Sequence, residues 1–389
     1  RDALDTSNVT IDTGSSGNGA GDITFNGSLY VDGGYSLTFN AANNIIINGY
    51  ISLADDLISR TTPNATGTTL QFNSNLAGNG GKTSVVDNVF LGAHTVEFLG
   101  GGLEIIGQSM VRVVSPNLRI EGGFTLDNAG FDFSGNASID TLTMTGPSSI
   151  IGQSSNNLEI GTFNVVDDGS GGSPSPGDGM YLGEGTYTIL NDGKIELSGA
   201  TFDPALTVVG KLVNKGNLTV TGDGILSIGI DQGVPGPGSL KNASSGKLIL
   251  KGNLAIETNS AIVNNGSIIT RNAGSGSLSL IIVKGTIRNN NILRINQDSL
   301  LEVTALQMNA AELQLVDGGV LSLYDENLGI PVPVDLIIGD GSSILGNGDI
   351  LTDGTVFVEA GGTIAPGNSP GVLVFASDLV LLDGSILDI

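Results

Sequence analysis

The chain has 389 residues, 60 of them glycine, and carries 39 acidic against 15 basic side chains for a formal charge of −24. Cysteine is absent, which excludes disulfides, thiolate metal sites and thiol catalysis, and a charge of this sign disfavours nucleic acid or an anionic membrane surface as partner. With 39% hydrophobic residues, 5% aromatics and a mean hydropathy of +0.21, the sequence is too apolar for disorder, and it turns often around an aliphatic interior.

The glycines follow no three-residue period, so a collagen helix is excluded. No apolar run approaches the roughly 20 residues of a spanning helix. The sequence opens at Arg1-Asp2-Ala3 without a charged-then-apolar leader, so any export signal is expected to lie outside it. Charge is unevenly placed: between Lys194 and Arg294 ten basic residues outnumber five acids, and after Arg294 only acids follow.

In chain order, the glycine run Gly14 to Gly21 has neither the lysine nor the following helix of a phosphate loop. Asp22-Ile23-Thr24-Phe25-Asn26-Gly27 returns 22 residues later as Asn44-Ile45-Ile46-Ile47-Asn48-Gly49. Asp55 to Gly67 is predicted to be a loop. His94, the single histidine, excludes a multi-histidine metal site and is expected on the surface or in a turn. The phrase IIGQS occurs at Ile105 to Ser109 and at Ile150 to Ser154. It is followed each time by a related phrase, Asn117-Leu118-Arg119-Ile120 and Asn157-Leu158-Glu159-Ile160. Asp127, Asp132 and Asp140, and separately Asp167, Asp168 and Asp178, are the carboxylate groups that a polysaccharide hydrolase or lyase would need on one face. Ordinary Asp-Gly and Asp-Asn turn chemistry explains them equally well.

Val166 to Gly179, with Pro174 and Pro176, is predicted to leave the regular structure, as are Asp231 to Gly238 and Asp325 to Asp335, because proline cannot donate to an interior ladder. Between these loops the form apolar-x-Asn-x-x-x-apolar-x-apolar recurs with its asparagines at Asn214, Asn242, Asn264 and Asn289, steps of 28, 22 and 25 residues. An asparagine at a corner tolerates left-handed backbone and, stacked on copies of itself, can bond amide to amide along an axis. Glycosylation sequons at Asn8, Asn26, Asn64, Asn136, Asn217, Asn242 and Asn265 are close to what chance gives in so Asn-, Ser- and Thr-rich a chain.

Units of about 22 to 28 residues, each holding about three short strands, cannot bury an apolar face alone. They must stack, each strand pairing with the one a turn later, which predicts an all-β parallel β-helix of roughly 15 rungs spaced about 4.8 Å apart. The expected organisation is rungs over 1–165, a Gly/Ser/Pro loop over 166–179, rungs over 180–341 and a terminal repeat over 342–389. Asp340, Asp349 and Asp353 are expected in Gly-rich turns and are weak calcium candidates, since neither an EF-hand loop nor a GGxGxD nonapeptide is present. No other cofactor is expected.

The terminal stretch Gly361-Gly362-Thr363-Ile364-Ala365-Pro366-Gly367-Asn368-Ser369-Pro370-Gly371, preceded by Leu345-Gly346-Asn347-Gly348 and followed by Asp383-Gly384-Ser385, resembles the β-strand repeat of autotransporter passenger domains and related bacterial surface adhesins. The resemblance implies a right-handed β-helix exported to the cell surface or beyond, in a family of mostly non-enzymatic proteins. The expected function is therefore structural or adhesive, with self-association into a filament, sheath or surface layer, or binding to a surface ligand. The alternative is a secreted polysaccharide-active enzyme or tailspike-like glycan binder on the same scaffold.

Overall fold

The computed structural model describes residues 4, 7–13, 21–30, 35–53, 69–74, 82–85, 88–153, 155–166, 180–197, 205–231, 234–235, 238–272, 278–327, 330–367 and 371–389. Their regular structure is β-strand throughout, and apart from two local hairpins the strands pair in parallel with partners one turn away in sequence. The chain is a parallel β-solenoid. It divides into two compact units, Arg1–Leu190 and Asn191–Ile389. The division falls inside the strand Thr186–Leu197 rather than at the 166–179 loop, and 342–389 belongs to the second unit.

In the first unit the course of a rung is visible in one strand, Met110–Asp127. Its first segment pairs with Val89–Gly92, its second with Thr95–Gly100 and its third with Leu103–Ile106, so the backbone bends twice and contributes to three faces. The bends fall at Ser115-Pro116 and at Glu121-Gly122, and the next strand, Gly130–Thr145, follows the same path with its first bend at Gly135. Gly135 has φ of 95°, and a Cβ there would meet the Ser115 carbonyl oxygen at 2.3 Å, so stacked corners leave no room for a side chain.

Alternation does the rest. Along each face every second side chain points inward, and stacked rungs place like on like. Phe39, Phe72 and Phe98 are register partners, fully buried, with ring centroids 5.3 and 5.0 Å apart and planes within 5° and 12°. In the second unit one inward column is aliphatic: Leu218, Leu248, Ile268, Leu293, Leu313, Ile344 and Ile364 follow one another at 1% exposure or less. Each contributes about 1.5–3 kcal/mol of transfer free energy.

The repeats read from sequence divide into two kinds. Ile23↔Ile45 and Asn117↔Asn136↔Asn157 are true register partners. The two copies of IIGQS are not. Ile105 lies on the face formed by Leu103–Ile106, whereas Ile150 pairs with Phe131 on the face that begins the rung. Two predicted excursions are short antiparallel hairpins, Ile230–Asp231 with Val234–Pro235 and Asp325–Asn327 with Ile330–Val332. The 55–67 loop and 167–179 lie outside the described residues.

Candidate functional site

The recurrent asparagines of the second unit end successive strands: Lys211–Asn214, Ser239–Asn242, Ile262–Asn264 and Ser279–Asn289. They are register partners in order, and each is 0% exposed. Asn214 Nδ2 donates to Asn242 Oδ1 at 2.9 Å, Asn242 Nδ2 to Asn264 Oδ1 at 2.7 Å, and Asn264 Nδ2 to Asn289 Oδ1 at 2.7 Å. The same amides reach backbone carbonyls of the adjacent corner, including Ser267 O at 3.0 Å and Ile292 O at 2.9 Å. Asn289 Nδ2 closes the series on Met308 Sδ at 3.7 Å. A buried amide is costly unless bonded, and stacking satisfies both ends of each group. The expected left-handed backbone is found elsewhere, at Asn128, Asp298, Ala310 and Asp317, because the ladder residues are still in extended strand when they turn inward. The sequon residue Asn242 is enclosed in this ladder.

A second, more exposed ladder runs beside it and was not read from the sequence. Asn290 Nδ2 donates to Asn265 Oδ1 at 2.7 Å, and Asn309 Nδ2 to Asn290 Oδ1 at 2.9 Å. Its signal was present as the doublets Asn264-Asn265 and Asn289-Asn290, which share the 25-residue step.

The carboxylates considered for catalysis are placed apart. Asp127, Asp132 and Asp140 occupy the end of the third face, the first face of the next rung and its second corner. Each is engaged between rungs. Asp127 Oδ1 accepts from Thr145 Oγ1 at 3.1 Å, Asp140 Oδ2 accepts from the Gly122 amide at 3.0 Å, and Asp132 faces Arg112 Nε at 3.3 Å. Burial raises the Asp132 pKa above the ordinary carboxylate value, and the Arg112 charge offsets part of that rise. Asp167, Asp168 and Asp178 lie outside the described residues. His94 sits at a corner where its carbonyl accepts from Ser115 Oγ at 3.1 Å.

Asp340, Asp349 and Asp353 fall respectively in a turn, within the strand Ser343–Thr352 and at the turn after it. Among the described residues no three carboxylate or imidazole side chains converge as a metal site would require. The terminal motif forms a corner and a short strand. Gly361 has φ of 79°, and Cβ atoms at Gly361 and Gly362 would meet Asp340 Oδ1 and the Ile338 carbonyl oxygen, each at 2.2 Å. Thr363–Ala365 then pairs with Ser343–Thr352. Pro366 and Gly367, with φ of 48° at the latter, begin the next turn, and a Cβ at Gly371 would overlap Pro366 O at 1.6 Å. Asn368 and Pro370 lie outside the described residues.

An open groove of about 490 Å³ lies on an outer face of the second unit. Lys247, Arg271 and Arg294 surround the outward side chain of Ile269, and the amides of Asn272, Asn296 and Gln297 complete its wall. Ile269 and Arg294 are register partners, while Lys247 lies beside Ser267 one rung earlier. Arg294 Nε donates to Asn296 Oδ1 at 3.0 Å, and Asn296 Nδ2 to Thr270 O at 2.6 Å, which fixes that wall to the backbone of the neighbouring rung.

These features define a parallel β-solenoid with internal amide and aromatic ladders and a basic outer groove. No family model, curated protein or solved structure matches the chain. Among the described residues no helix is long and apolar enough to cross a membrane.

Proposed function

We propose that this chain is a non-enzymatic structural or adhesive scaffold, displayed on a bacterial surface or released outside the cell, on the model of the autotransporter-type passenger domains that its Gly361–Gly371 motif resembles. The observation that carries the reading is how its carboxylates are used. Asp127 bonds to the rung after it, and Asp132 and Asp140 to the rung before, instead of facing one another across a cleft. A hydrolase pair needs two carboxyl groups poised about 5–10 Å apart over one bond. A scaffold needs them where they lock strands together.

Self-association is part of the proposal. The last strands, Leu373–Phe375, Asp378–Leu381 and Ile386–Leu387, expose Val374, Leu379, Leu381, Ile386 and Leu387. Strands with free edges and apolar side chains are the surface on which a further rung packs, whether from this polypeptide's continuation or from a second copy. Sedimentation and electron microscopy of the purified chain, over rising concentration and with and without calcium, test assembly. Persistently monomeric chains would remove the polymer from the proposal. An assay of reducing ends released from plant and bacterial polysaccharides tests the enzymatic alternative, and turnover there would overturn the non-enzymatic reading.

A further inference from the structure

We infer that the groove around Ile269 binds an acidic polysaccharide, a chain bearing carboxylate or sulfate groups. This rests on the adhesive reading only in supplying the ligand class. Lys247, Arg271 and Arg294 stand on three successive rungs, so their backbones span about 10 Å along the solenoid at about 4.8 Å a rung. Among the described residues no carboxylate lies within salt-bridge distance of any of the three, and the 273–277 segment that follows Arg271 and Asn272 contains none. The nearest acids in sequence and register are otherwise placed. Glu312, beyond Ile292, accepts from Gln314 Nε2, and Asp298 follows Gln297 in a left-handed turn.

Three uncompensated cations side by side repel one another, and an anion relieves that cost. Guanidinium groups match carboxylate and sulfate oxygens with two parallel donors, which a lysine does not. Ile269 offers an apolar floor to the C–H face of a sugar, and the side-chain amides offer donors and acceptors to its hydroxyls. The groove's size suits a narrow chain rather than a folded domain. Its lining holds no aromatic ring on which a nucleobase could stack. The acidic remainder of the molecule is screened beyond about 8 Å at physiological salt, so the local basic field governs the encounter.

The test is calorimetry on the full 389-residue chain with polygalacturonate as carboxylated probe and heparin as sulfated probe. Dextran, sodium sulfate and oligothymidylate serve as controls. Wild type is expected to bind at least one acidic polysaccharide saturably at 0.15 M salt, more weakly as salt rises, and to ignore dextran. Arg271→Gln and Arg294→Gln should each weaken binding about tenfold or more, and the triple variant with Lys247→Gln should abolish it. Arg294 also braces Asn296, whereas Arg271 is exposed, so Arg271→Gln separates loss of contact from loss of shape, with circular dichroism reporting the fold. The inference falls if neither acidic polymer binds, if the variants bind like wild type, if oligothymidylate binds equally, or if only free sulfate binds. It also falls if the triple variant changes self-association alone, which would assign the groove to a second copy. Normal assembly without polysaccharide binding would sink this inference and leave the scaffold reading intact.

Discussion

Asn264→Leu probes the ladder where it is most constrained. The side chain accepts from Asn242 Nδ2 at 2.7 Å and donates to Asn289 Oδ1 at 2.7 Å and Ile292 O at 2.9 Å. Leucine is of similar size and removes all three bonds. Asn242 keeps the carbonyls of Gly246 and Ser267, at 3.1 and 3.0 Å, as acceptors. Asn289 Oδ1 loses its donor inside a corner that is 0% exposed. One stranded buried acceptor costs about 1–3 kcal/mol, and each further lost bond about 0.5–1.5 kcal/mol. Leucine's greater hydrophobicity returns part of this, leaving a destabilisation of about 2–4 kcal/mol. Solenoid stability is close to a sum of neighbouring-rung terms, so the loss should be local. Hydrogen exchange of amides near residues 242–292 should accelerate more than that of the first unit, and the urea midpoint by circular dichroism should fall. Combining Asn264→Leu with Asn289→Leu removes the shared bond once, and the pair should cost about 1–2 kcal/mol less than the sum of the singles. A single variant within 0.5 kcal/mol of wild type, or a strictly additive pair, would refute the reasoning.

Phe72→Ala removes the middle ring of the Phe39–Phe72–Phe98 stack and should destabilise the first unit by about 3–5 kcal/mol, with Phe72→Leu costing less, both measured by urea denaturation. Ala310 holds φ of 47° at a position stacked against Gly341. Ala310→Gly should therefore raise stability by about 0.5–1 kcal/mol despite glycine's larger unfolded-state entropy, and an unchanged or lowered midpoint would contradict this. Because the folded Asp132 pKa is raised, chiefly by burial, its contribution to stability is full below the unfolded carboxylate value and lost as pH rises through the folded one. Asp132→Asn should thus stabilise the protein at pH 7, and the gain should shrink toward pH 3.8 and below in thermal melts across pH.

What was legible in the sequence was whatever pointed inward on a face of constant length. The steps of 28, 22 and 25 between Asn214, Asn242, Asn264 and Asn289 are the register offsets of the folded chain. The phenylalanine stack escaped because its members are 33 and 26 residues apart, the first interval lengthened by the chain between Asn40 and Thr69. IIGQS misled for the opposite reason. Short apolar words suit every face of a solenoid, so identical words need not share a face. The basic groove was less legible still. Lys247 and Arg294 are 47 residues apart and become neighbours only after two registers are fixed, and outward positions carry no hydrophobic period to fix them by.

The terminal glycine motif therefore has a physical meaning separate from any ligand. Corners at Gly339–Ser342, Glu359–Gly362 and Leu382–Ser385 each close with a 3.0 Å bond from the fourth amide to the first carbonyl, and their third residues have φ of 71°, 79° and 85°. The corners lie one over another, as the bonds from Gly341 N to Gly361 O and from Gly361 N to Gly384 O record. Stacking obliges each rung to place the same left-handed residue at the same depth, and a Cβ at Gly361 would collide with Asp340 of the rung before. Glycine recurs because the corner recurs. A motif produced this way identifies the scaffold and is indifferent to cargo, so a corner mutation such as Gly361→Ala should lower stability while leaving the affinity of the distant basic groove unchanged. Specificity has to be sought where stacking imposes nothing, on the outward side chains of the faces, and there Lys247, Arg271 and Arg294 form one basic group without an ion pair among the described residues.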